Sequence, residues 1–146
     1  MRRVLAIATC TFALAACGSD NRGPSPIEYA QRADAICSRY NQQTARLRDR
    51  GTGVENLARI ADRTLALLDR ATAGLRALPT PRDESEAAQR WLASLQRLHV
   101  DVVKIRDAAR VNDLATVRAA AVIAERDDEA SNALARRLGM TACSSG

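Results

Sequence analysis

From Ile27 onward, apolar residues return every three or four positions, in four blocks separated by helix-breaking residues. That period matches the 3.6 residues of an α-helical turn, and no stretch alternates convincingly at the two-residue period of a half-buried strand. In the first block Tyr29, Ala33, Ile36, Cys37, Tyr40, Thr44 and Leu47 share one face, with Glu28, Arg32, Arg39, Arg46 and Asp49 on the others. Gly51 stops it, with Arg46, Arg48 and Arg50 near the negative end of the helix dipole. The second block opens at Thr52-Gly53-Val54-Glu55, which has capping-box spacing. Its stripe is Leu57, Ala61, Thr64, Leu65, Leu68, Ala71, Leu75 and Leu78. Pro79 and Pro81 end it, because proline cannot donate to the helical ladder and restricts the residue before it.

Thr80-Pro81-Arg82-Asp83 begins the third block: Thr80 can cap, Pro81 suits a first turn, and Asp83, Glu84 and Glu86 favour a helix N-terminus. Ala88, Trp91, Leu92, Leu95, Leu98, Val102, Ile105 and Ala109 form its stripe. The fourth starts at Asn112 or Asp113, carries Leu114, Val117, Ala121, Ala124, Ser131, Ala135 and Leu138, and ends at Arg136, Arg137 and Gly139. Four amphipathic helices with short connections predict an all-α domain, most economically an antiparallel up-down four-helix bundle. A three-helix domain with one peripheral helix is the structural alternative, and the lack of an internal repeat argues against a solenoid. Hydrophobic residues make up 47% of the 146-residue chain but aromatics only 3%, so the core is one of Ala, Leu, Val and Ile.

The segment before these helices reads differently. Met1-Arg2-Arg3 is a short positive start, and residues 4–16 are apolar but too short for a spanning helix, which needs about 20 such residues. The stretch ends Leu14-Ala15-Ala16-Cys17, followed by Gly18-Ser19. This resembles the lipobox of bacterial lipoproteins. Leu14 fills an apolar pocket of the signal peptidase, and Ala15 and Ala16 let it approach the backbone. The resemblance implies cleavage before Cys17, whose thiol carries a diacylglyceryl group. Two or three long acyl chains, at about 0.8 kcal/mol per buried methylene, hold a protein almost permanently on a bilayer. Cys10, preceded by Ile7-Ala8-Thr9, is the weaker site, with too little apolar sequence before it and a bulky Thr9 at the cut. The expected layout is a signal peptide over residues 1–16, lipidated Cys17 with a flexible Gly, Ser and Pro-rich tether over residues 17–26, and a helical domain over residues 27–146. The expected address is the extracytoplasmic face of the cell membrane.

With Cys10 lost and Cys17 modified, Cys37 and Cys143 remain. An even remainder outside the cytoplasm predicts a disulfide. In an antiparallel bundle the end of the fourth helix returns to the early half of the first, so the two cysteines can meet. A redox pair is the alternative, but Cys-x-x-Cys spacing is lacking. Tyr29-Ala30, Ala33-Asp34-Ala35-Ile36-Cys37, Asn41, Leu78-Pro79, Trp91-Leu92 and Leu138-Gly139-Met140 with Cys143 together resemble small helical lipoproteins and envelope proteins of actinobacteria. That resemblance implies a helical domain with a paired cysteine and brings no catalytic residues with it.

Chemistry is sparse. His99 is the only histidine and falls in step with Leu92, Leu95 and Val102. A metal site needs several converging His, Cys or carboxylate ligands, and Glu-x-x-His pairs and Cys-x-x-Cys-His are missing, so neither a metal nor another cofactor is expected. Gly-x-Ser-x-Gly, His-Glu-x-x-His and a phosphate-cradling glycine loop are also missing, which predicts a non-enzyme. Asp128 falls on the inner face of the fourth block. It belongs either to a solvated acidic turn, Asp127-Asp128-Glu129, or to a polar pocket with His99 or Tyr40. The net charge of +5 includes Arg2 and Arg3 of the leader, and the remaining arginines alternate with acids. That pattern describes a solvated mixed-sign surface rather than a nucleic-acid patch. The expected partners are the bilayer, through acylated Cys17, and either an envelope protein or a small apolar ligand held between the helices.

Overall fold

A computed structural model of the chain describes residues 23–48 and 53–145. Leu14, Ala15, Ala16 and Cys17 lie outside the described residues, as do Gly51 and Thr52. Among the described residues the chain is all-α: α1 spans Pro26–Arg48, α2 Val54–Arg76, α3 Ser85–Arg110 and α4 Leu114–Arg137. Two short 3₁₀ turns, Arg82–Glu84 and Ala142–Ser144, precede α3 and follow α4.

The helix ends show which local signals operate. A capping box forms at Ser25, while Thr52 and the Glu55 side chain, noted for the same spacing, lie outside the described residues. The Glu28 amide donates to Ser25 Oγ at 3.3 Å, and the Ser25 amide donates to Glu28 Oε2 at 2.9 Å. Those hydrogen bonds hold the Glu28 carboxyl below the ordinary carboxylate range, the Ser25 backbone amide contributing most. Pro26 opens the helix behind this cap, one residue before the helical domain was expected to begin. At α2 the N-cap is Gly53, at φ 115° and without a side-chain cap bond. Backbone there takes a shape that L side chains rarely adopt, which serves where a side-chain cap does not. Thr80 does not cap α3 either. Pro81 leads into the 3₁₀ turn, where the Glu84 amide donates to the Pro81 carbonyl at 3.2 Å, and the α-helix begins only at Ser85.

One tight link joins α3 to α4. Asn112 sits at φ 56°, its amide donating to Ala109 O at 3.2 Å, while the Asp113 amide reaches Ala108 O at 2.9 Å. That is a Schellman ending with Asn in the left-handed position. Asp113 then caps α4, accepting from the Thr116 amide at 3.0 Å and from Thr116 Oγ1 at 2.6 Å. Those Thr116 contacts hold its carboxyl below the usual range. Gly139, at φ 73°, ends α4 in the same manner, with Met140 N donating to Ala135 O and Gly139 N to Arg136 O, both at 3.0 Å.

Consecutive helices pack on one another, with α3 between α2 and α4. Ala30 and Ala33 of α1 lie in the same buried cluster as Ala135 of α4, together with Tyr29, Trp91, Leu138 and Met140. The first and second stripes match the observed faces, the third runs beside a more deeply buried line of Ser94, Asp101 and Ala108, and the early part of the fourth is out of phase. Ala120 is buried where Ala121 was expected to be, and Leu114 is 42% exposed. The helix phase set by Ser131 and Ala135, fully buried against α3, puts residue 120 inward and residue 121 outward.

After Gly139 the chain folds back on α1. The Cys37 and Cys143 sulfurs stand at disulfide distance, 2.10 Å, across a sequence separation of 106 residues. Asp34 Oδ2 accepts from the Thr141 amide at 2.8 Å and its hydroxyl at 2.9 Å, and Asp34 Oδ1 from the Cys143 amide at 3.0 Å. Asn41 Nδ2 donates to Ala142 O at 2.9 Å. Closing so long a loop removes much unfolded-state entropy. Replacing both cysteines by serine should lower the unfolding free energy by about 3 to 5 kcal/mol in urea titrations. A loss under about 1 kcal/mol would show that the tail is held by Asp34 and Asn41 alone.

Candidate functional site

The three polar residues singled out from the sequence occupy three different helices. His99 of α3 is partly buried and its Nε2 lies 3.1 Å from Asp69 Oδ1 of α2, so its partner is Asp69 rather than Asp128. Asp128 is half-buried within α4 and accepts from Asn132 Nδ2 at 2.9 Å, one helical turn on. Half-buried Tyr40 lies on α1, its carbonyl accepting from Thr44 Oγ1 at 3.1 Å. The acidic run 127–129 is helix, not turn. Asp127 within it, with its side chain only 15% exposed, faces Arg126 at 3.1 Å and Arg97 at 3.7 Å.

Buried polar groups that the periodicity missed lie mainly on α3. Ser94, Asp101 and Ala108, spaced by sevens, face inward because α3 has a neighbour on each side. Ser94 Oγ donates to the Trp91 carbonyl at 2.6 Å and lies 3.0 Å from Ser131 Oγ of α4, so the pair satisfies itself across the interface. Asp101 is 4% exposed, and its Oδ2 has no hydrogen-bond partner among the described residues. At the tail end of the molecule, Tyr29 Oη, Trp91 Nε1 and Glu84 Oε2 are buried and equally unpartnered there. Burial pushes the Tyr29 phenol above the ordinary tyrosine range, and the negative charge of Glu84 adds to the push. The signal for these groups was a heptad spacing, which is weaker than an apolar stripe. Among the described residues no group of three or more His, Cys, Asp or Glu could hold a metal ion, and no helix is long and apolar enough to cross a membrane.

The surface opens between α1 and α2. One cleft of about 340 Å³ is lined by Gln43, Arg46 and Leu47 of α1 and by Arg63, Ala66, Leu67 and Arg70 of α2. A smaller one, about 190 Å³, shares Leu47 and Arg63 and adds Asn56, Arg59 and Ile60. Leu47, Ile60, Ala66 and Leu67 supply apolar surface and the arginines a basic rim. This polarity follows from the way α2 divides its charges. Asp62 is drawn to α3, 2.9 Å from Arg110 and 3.8 Å from Arg106, and Asp69, seven residues on, meets His99 of the same helix. Arg63 and Arg70 are left on the α1 side. The acids of α1 are committed at its other end, Glu28 to the Ser25 cap and Asp34 to the tail. Among the described residues, Arg46, Arg63 and Arg70 therefore have no carboxylate partner. Three exposed guanidiniums around apolar side chains can bind an anion with a short hydrophobic part.

Comparison with known proteins returns no matching family model, no matching curated protein and no matching solved structure.

The unpartnered Tyr29 phenol generates a test. A phenol whose folded value is raised contributes its stability fully below the ordinary tyrosine range and loses it as pH rises through that range, because the unfolded chain ionises first. Tyr29→Phe should leave the melting temperature at pH 7 unchanged or higher and should flatten its fall above about pH 10. A variant that melts lower at pH 7, with the alkaline fall intact, would mean the hydroxyl has a stabilising partner.

Proposed function

We propose that this chain is a lipid-anchored, non-catalytic binding module on the outer face of a cell membrane, with the α1–α2 cleft as its binding surface. The observation that carries the reading is the set of arginines without carboxylate partners around Leu47, Ala66 and Leu67. Arg90 beside Glu86 and Arg110 beside Asp62 have their charge answered within the molecule, and what sets Arg46, Arg63 and Arg70 apart is that they gather around one apolar cleft. Supporting the address are the lipobox Leu14-Ala15-Ala16-Cys17, with cleavage before Cys17, and the disulfide distance between Cys37 and Cys143, which suits an oxidising compartment. The helices run up-down-up-down in this reading. The three-residue link from Val111 to Asp113 and the return of the tail to α1 both favour that order. The likeness to small envelope lipoproteins of actinobacteria belongs to the same proposal and rests on the residues that carry it. An open cleft between helices also favours the reading of a carrier for a small ligand over that of a purely structural accessory.

A photo-crosslinking residue placed at position 66 in the cleft, or at position 122 on the exposed side of α4, separates these ideas in intact cells. The expected outcome is a covalent adduct from position 66, none from position 122, and loss of the adduct when Cys17→Ser releases the chain from the membrane. Equal labelling from both positions, or none from position 66, would contradict the cleft as binding surface. A Cys17→Ser chain that still fractionates with membrane would contradict the anchor.

A further inference from the structure

The cleft between α1 and α2 is shaped for a particular kind of anion. Its larger part runs along α2 from Arg63 to Arg70, seven residues, or about 10 Å of helix. That is two turns, and its ends are arginines rather than the apolar groove that takes the i, i+3, i+4 and i+7 anchors of a partner helix. Polynucleotide binding normally uses aromatic platforms for the bases. No aromatic lines either cleft; partly buried Tyr40 lies three residues before Gln43 on α1, and Tyr29 and Trp91 are 1% exposed. What the cleft offers is a planar fork at each of three arginines, which matches phosphate oxygens two at a time. The Gln43 amide can meet a hydroxyl, and Leu47, Ala66 and Leu67 offer a small apolar surface.

We propose that the Arg46, Arg63 and Arg70 cleft receives the headgroup of an anionic phospholipid, so that the domain lies with its α1–α2 face on the bilayer. This rests on the membrane-anchored reading, because the tether sets what the cleft can reach. Residues 18–25, fully extended, span at most about 29 Å. Arg46 lies twenty residues along α1 from Pro26, about 30 Å. Tether and helix are matched in length, so a domain held at Cys17 can lay α1 along the membrane surface. Phosphodiester groups then sit against the arginines at high local concentration. The apolar floor takes the glycerol and the first methylenes of the acyl chains, while the rest of the lipid stays in the bilayer.

The test uses the full chain carrying Cys17→Ser, titrated calorimetrically with dihexanoyl phosphatidylglycerol, dihexanoyl phosphatidylcholine and inorganic phosphate, each lipid below its micelle concentration. Phosphatidylglycerol should bind roughly tenfold or more tightly than phosphatidylcholine or phosphate, as three charge-assisted contacts and an apolar floor require. That preference should vanish in Arg46→Gln/Arg63→Gln/Arg70→Gln and persist in Arg90→Gln, a control whose partner is Glu86. Equal binding of the two lipids overturns the proposal, as does a preference that survives the triple substitution. Phosphate binding as tight as the lipid would assign the cleft to a free anion. A glutamate-rich peptide that displaces phosphatidylglycerol and binds tighter would assign it to an acidic protein. Because the titrated chain has no thiol at position 17, the result is independent of acylation. Failure of the anchor shows separately, as an unmodified Cys17 in protein purified from cells.

Discussion

Asp34 uses both carboxylate oxygens to hold the far end of its own chain: one takes the amide and hydroxyl of Thr141, the other the amide of Cys143. Asn41 adds a bond to the Ala142 carbonyl, and the Cys37 and Cys143 sulfurs stand at disulfide distance between them. The three side chains lie along one stretch of α1, so the tail is fixed as a short strap across it. The Thr141 and Cys143 amides lie at the start of the 3₁₀ turn Ala142–Ser144, where the first N–H groups have no partner within the turn, and the Asp34 carboxylate accepts from both. The strap also positions Met140, which is 1% exposed, in the cluster with Tyr29 and Trp91. The largest side chains of an otherwise aliphatic domain therefore gather beneath the strap.

Fixing α1 at that end shapes the other. The acids of α1 are used at the Ser25 cap and the strap, and those of α2 that meet a partner face α3. What remains along the later half of α1 and the facing side of α2 is basic, with aliphatic residues between. The proposed binding surface is thus a by-product of where the carboxylates are needed for structure. Exposed arginine pairs with acids contribute little to stability, so moving an acid to this side would cost the fold little. That none of the described acids answers Arg46, Arg63 or Arg70 is the reason to read the cleft as functional.

Much of this was legible in the sequence, and what was not has identifiable causes. Helix number and the buried faces of α1 and α2 follow from apolar period, because Leu and Ala stripes are strong signals. The Gly139 ending was equally clear. The pairing of cysteines came from parity and topology. Ser25 and Pro26 read as the end of a tether because Gly, Ser and Pro dominate residues 18–26, although the Ser25 to Glu28 spacing is that of a cap. The inward face of α3 was read too narrowly, since a helix with neighbours on two sides buries more than one stripe; Ser94 and Asp101 were lost that way. His99 was placed at the boundary of its stripe, but Asp69 as its partner depends on the register of α2 against α3, which no single-helix pattern encodes. The arginine cleft was invisible for the opposite reason: in sequence the arginines alternate with acids, and only packing shows which acids turn away.

Hydrogen exchange at the Thr141 and Cys143 amides tests the strap most directly. With the disulfide intact, both amides should exchange as slowly as those in the middle of α3, because releasing them requires breaking the cross-link-supported contact with Asp34. Exchange at the rate of an unstructured peptide, with α3 still protected, would show that the tail is not held on α1 and that the arrangement built upon it does not exist in solution.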